Sequence, residues 1–104
     1  MALTITLAFV AGFFAGNGLP YYTEGSAGRG VNPSPFPNSA VVNVIVGWFA
    51  LVVAGVSAYF ADIPAHPVPG MVAVAAGWLA VGLIHANNWR ANPWNKRAGV
   101  MDQG

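Results

Sequence analysis

The chain has 104 residues, 56% of them hydrophobic and only 7% charged, with a formal net charge of +1. A soluble domain carries roughly 25% charged residues, so there are too few charges here to coat a water-facing surface. The near-neutral balance also excludes the broad basic face that nucleic-acid binding needs. No cysteine is present, which excludes disulfides, thiolate nucleophiles, iron–sulfur clusters and cysteine-ligated zinc, and leaves the redox compartment unread.

The apolar residues lie in long uninterrupted runs and not at amphipathic spacing, which is the pattern of helices surrounded by lipid. The expected fold is all-α: an integral membrane protein with a single membrane domain over 1–104 and three transmembrane helices at approximately 2–19, 39–61 and 70–89. The first run, MALTITLAFVAGFFAG, reaches only about 24 Å as a helix before Asn17, Gly18 and Pro20 disturb it. It spans with local thinning or by extending through Leu19. A signal peptide is the rival reading, but no Lys or Arg precedes the run and no A-x-A site follows it, so a retained helix is expected.

Residues 20–38, with Tyr21 and Tyr22 at their start, are rich in glycine, proline, serine and asparagine and read as a surface loop too polar for hydrocarbon. The second run, Ser39 to Ala61, is uncharged and long enough to cross ~30 Å of hydrocarbon. Asn38 and Ser39 suit its start as caps. The segment DIPAHPVPG then packs three prolines and a glycine into a break, and Gly70 to Trp89 makes a third uncharged run. The second and third runs are expected to form a tight helical hairpin. Arg29 in the first loop and Arg90, Lys96 and Arg97 in the tail then share one side. Retention of Lys and Arg in the cytoplasm puts the N-terminus outside and loop 20–38 and tail 90–104 inside. A bacterial cytoplasmic (inner) membrane is the expected location.

Small residues recur every three or four positions: Ala8, Gly12 and Gly16 in the first helix; Gly47, with Ala50, Ala54 and Ala58, in the second; Ala73, Gly77 or Ala76 and Ala80 in the third. Backbones approach closely along such stripes, so these residues are assigned to helix or partner packing. Trp48 and Trp78 fall near mid-membrane, away from the interfacial belts. They are expected in a packed helix interface, each indole N–H bonded to a carbonyl or to Asn43, which itself reads as an interhelical hydrogen-bonder. The alternative is a face shaped for a lipid, a quinone or a neighbouring subunit.

The stretch IHANNWRANPWNKR, Ile84 to Arg97, reads as a membrane exit. Trp89 and Trp94 suit the aromatic belt, and Arg90, Lys96 and Arg97 the phosphates. His85 is the one candidate cofactor ligand, for a haem, a chlorophyll-type pigment or a quinone. A bis-histidine haem needs a second ligand at matching depth, and His66 belongs to the opposite side, so His85 is read first as an interfacial or helix-contact residue. Neither a resident cofactor nor a metal is expected.

No Asp, Glu, Lys or Arg lies within a proposed span, which disfavours an ion-coupled pump, a proton-carrying rotor subunit or a multidrug exporter. Glu24, Asp62 and Asp102 are scattered, the serines lack a histidine neighbour, and EGSAGRG lacks the Gly-Lys-Ser/Thr ending of a phosphate loop. No catalytic residue is assigned. The expected role is a small non-catalytic accessory subunit of a larger membrane complex, a transporter or respiratory assembly, whose partners are larger integral subunits and lipid. The alternatives are a homo-oligomeric, holin-like pore with Thr4, Thr6, Asn43 and Ser57 as a thin polar stripe, or an electron-transfer subunit with His85 as ligand.

Overall fold

The computed structural model describes the backbone of residues 1–91 and the side chains of residues 1–89. It is all-helical over those residues: α1 (Ala2–Ser26), α2 (Ala40–Phe60), a 3-10 turn over Ile63–Ala65, and α3 (Pro67–Ala91). Each of the three α-helices is long and apolar enough to cross a membrane. The tail positions Trp94, Lys96 and Arg97 lie outside the described residues, as does the side chain of Arg90.

α1 does not stop where the sequence suggests. It runs for 25 residues with Pro20 inside it, so it is about 37 Å long and needs no thinning of a bilayer. Pro20 removes one backbone N–H, yet local side-chain bonding supports that turn. The Thr23 hydroxyl donates to the Leu19 carbonyl at 2.9 Å and to the Pro20 carbonyl at 3.2 Å, as serine and threonine commonly do around a proline in an apolar medium. The first seven residues of the expected loop 20–38 are thereby helical.

Ser39 caps α2, its hydroxyl accepting from the Val42 N–H at 3.3 Å. α3 starts three residues earlier than the sequence suggests, with Pro67 and Pro69 in its first turn, where a missing N–H costs nothing. The break is therefore confined to the few residues around the 3-10 turn. Asp62 opens it at φ 53°, in the left-handed region.

The expected tight α2/α3 hairpin is not the packing unit. α2 and α3 each lie along α1 and make almost no contact with each other. α1 is the central helix, antiparallel to α2 and parallel to α3. The reason is where the glycines are. A Cβ on Gly18 would sit 2.7 Å from the Gly47 carbonyl oxygen, and one on Gly25 would sit 2.5 Å from that of Ala40, both on α2. A Cβ on Gly16 would sit 2.5 Å from Val81 of α3, and Gly12 and Gly77 meet the facing backbone more closely still. Glycines distributed around α1 let two helices reach its backbone on different sides, whereas α2 and α3 each carry one such face.

The interior is made of small residues. Ala8 and Ala61 are fully buried beside Ala73, with Leu7, Ile63 and Val74 around them, at the end where the α2–α3 connection crosses α1. The large apolar side chains point out: Phe49, Leu79 and Leu83 are each more than 60% exposed, as are Val72 and Met71. In water such a distribution would leave apolar surface exposed at ~25 cal/mol per Å². In hydrocarbon it costs nothing, and close backbone approach becomes the main attraction.

Candidate functional site: a polar and aromatic cluster at one end of the bundle

The end that holds the C-termini of α1 and α3 and the N-terminus of α2 carries most of the described polar bonding. Residues 27–39 are not a free surface loop. Asn32 is 1% exposed and organises the segment. Its Oδ1 accepts from the Ser34 N–H at 3.0 Å and from the Ser34 hydroxyl, the self-bonding turn that asparagine favours. Its Nδ2 donates to Asn43 Oδ1 at 2.8 Å and to the Pro37 carbonyl at 3.3 Å. Asn43, fully buried in α2, returns its Nδ2 to the Arg29 carbonyl at 3.1 Å. Asn43 thus holds the loop, not another helix and not an indole N–H, a correction to the sequence reading. Glu24 and Arg29 form an ion pair on the outside of the same turn.

Tyr21 joins this network to α3. Its ring is packed inside the chain at 6% exposure, whereas Tyr22 beside it is exposed. The Tyr21 hydroxyl lies beside Ser34. Its ring meets His85 edge-on at 5.8 Å between centroids and Trp89 at 5.9 Å. His85 Nε2 lies 2.8 Å from Asn17 Oδ1, which ties α3 to α1. One connected set of contacts therefore runs Asn17, His85, Tyr21, Ser34, Asn32, Asn43, and it touches all three helices.

His85 Nε2, one of its two possible metal-binding nitrogens, is already engaged, and the group beside it is an amide, which neither takes nor gives a proton. Among the described residues no group of three or more His, Cys, Asp or Glu side chains comes together. His66 lies beyond the other end of α3, so the two histidines do not share a site.

The packing candidates divide into two groups. Ala8, Gly12, Gly16, Gly47, Ala54 and Gly77 are buried between helices. Trp48 and Trp78 are 56% and 52% exposed, so neither fills an interface within this chain, contrary to the expectation from sequence. Each stands beside a tight glycine contact: Trp48 follows Gly47, and Trp78 borders Gly16. Both are therefore at the depth of Gly16–Gly18 on the outer surface. Sequence reading missed Asn17, Asn32 and Ser34. The signal for the last two was the N-P-S turn pattern; Asn17 and His85 are far apart in sequence and nothing pairs them in advance.

No family model, no curated protein and no solved structure matches this chain.

Proposed function

We propose that this chain is an integral membrane protein that serves as a small non-catalytic subunit of a larger membrane complex, a transporter or respiratory assembly. The observation that carries the reading is the inverted distribution of side-chain size, with alanine and glycine inside and Phe49, Leu79, Leu83, Trp48 and Trp78 outside. An exterior of this kind requires an apolar surround. Within it, an indole N–H at hydrocarbon depth favours an acceptor that lipid tails do not offer, and a neighbouring subunit supplies one. Gly55 and Gly82 also have open space beyond them, which leaves room for close approach by a foreign helix.

In this reading the polar cluster fixes the three helices to one another and the subunit's outer faces do the binding. The N-terminus and the Asp62 turn are outside, and the loop 27–39 and the end of α3 face the cytoplasm, following the placement of Arg29, Arg90, Lys96 and Arg97. The membrane is the bacterial cytoplasmic membrane.

Purification from membranes in mild detergent, followed by native mass measurement and an absorption spectrum, tests this. Heterologous subunits at fixed stoichiometry are the expected outcome. A ladder of identical subunits would replace the proposal with a homo-oligomeric pore, and a visible absorption band that is lost in His85→Ala would replace it with an electron-transfer subunit.

A further inference from the structure

The segment between α1 and α2 has the parts of a hinged lid. At one end Gly28 turns the chain out of α1 at φ 83°, and a Cβ there would meet nothing within 4 Å. Glycine adopts that conformation freely, and the open space around it leaves the turn room to pivot. At the other end Ser39 starts α2. Between them Asn32, Ser34 and Asn38 are each no more than 9% exposed, so the segment lies folded onto the bundle without a helix of its own.

A latch holds it there. Asn32 Nδ2 donates to Asn43 Oδ1 at 2.8 Å, and Asn43 Nδ2 donates to the Arg29 carbonyl at 3.1 Å, so one α2 side chain grips the segment twice. On its inner side Ser34 lies beside Tyr21, whose ring meets His85, and His85 Nε2 lies 2.8 Å from Asn17 Oδ1. α2 and α3 make almost no contact with each other that could close this end in its place.

The closed segment is not fully satisfied. Both amide atoms of Asn38 are enclosed and have no hydrogen-bond partner. Leaving such groups unpaired away from water is costly, and folded chains pair the great majority of them. Opening would give the Asn38 amide water to bond, and it would break the bonds made by Asn43. The two asparagines therefore push the segment in opposite directions.

We propose that residues 29–38 form a hinged lid, latched by Asn43 and biased toward opening by Asn38, which admits water from this end of the bundle to Tyr21, His85 and Asn17. Weakly held segments open locally while the rest of a fold stays closed, and hinges are a few element-terminal residues that absorb the backbone change. The Glu24–Arg29 ion pair joins the first lid residue to the last turns of α1, which keeps it on the hinge side of the motion. The lid does not depend on the accessory-subunit reading.

The chain has no native cysteine, so single thiols report opening in the full-length protein in detergent. Ser34→Cys puts a thiol of similar size under the lid, and Val81→Cys, at a position 2% exposed on α3, reads separation of the helices. With a small water-soluble maleimide, Ser34→Cys should react at least about tenfold faster than Val81→Cys. Adding Asn43→Ala should speed the Ser34→Cys reaction further by about tenfold, and adding Asn38→Ala should slow it severalfold, with Val81→Cys unchanged by either. A Ser34→Cys rate that follows the Val81→Cys rate in every background would overturn the proposal, because the segment would then open only with the whole bundle. Faster reaction on adding Asn38→Ala would overturn it as well, and that arm decides the matter if the Asn43→Ala protein does not fold.

Discussion

Asn43 and Asn32 show how a polar residue can be tolerated in an apolar chain. Each is buried, and the cost is offset because the two amides bond each other and three backbone carbonyls. Asn43→Ala leaves Asn32 Nδ2 and the Arg29 carbonyl without that partner, and it should lower stability by about 1–3 kcal/mol. Thermal unfolding of the detergent-solubilised protein measures this. The double variant with Asn32→Ala should cost clearly less than the sum of the singles, since the second change removes the orphan left by the first. Additive losses would show that the two amides do not act on each other. Asp62 behaves oppositely. Its φ of 53° is unfavourable for a residue with a Cβ, so Asp62→Gly should raise stability by up to about 1 kcal/mol. A fall in the same assay would mean that the carboxylate holds the turn.

At the scale of the helix, glycine has two different uses in this chain. Gly12, Gly47 and Gly77 face another helix's backbone with no space for a methyl group, while Gly55 and Gly82 face open space. Gly12→Ala, Gly47→Ala or Gly77→Ala should therefore force the helices apart and cost about 1–3 kcal/mol each. Gly55→Ala and Gly82→Ala should be neutral or gain up to about 1 kcal/mol from helix propensity. A melting series of the five variants in one detergent decides it, and a loss of stability on adding a methyl at Gly55 or Gly82 would contradict the description of their surroundings. The spacing of small residues was legible in the sequence because an i, i+4 repeat marks one side of a helix. What it could not say is which helix lies on that side. α1 carries glycines at 12, 16, 18 and 25, pointing two ways, and only the assembled bundle assigns Gly12 and Gly16 to α3 and Gly18 and Gly25 to α2.

For the whole molecule, the outer surface governs behaviour. The proposed subunit should remain in the membrane pellet through alkaline carbonate washing. A single cysteine at Asp62 should react with an impermeant thiol reagent from outside intact cells, while one at Ser26 should react only after permeabilisation. The reverse labelling pattern would invert the proposed orientation. Gly55→Leu and Gly82→Leu, placed on open faces, should leave the isolated protein folded yet reduce the yield of co-purifying subunits. If yield is unchanged for both, neither face meets a partner.

Composition and run length alone determined that the fold is all-helical, with three stretches able to cross a bilayer, because an apolar run needs only its own backbone bonds and a low-dielectric surround to become a helix. The N-cap at Ser39 was equally local. Tertiary structure alone decided that α1 is central, that Tyr21 is buried while Trp48 and Trp78 face outward, and that Asn17 meets His85 and Asn43 meets Asn32. Those facts depend on residues far apart in sequence being brought within a few ångströms, and periodicity along one helix carries no information about the neighbour on its other side.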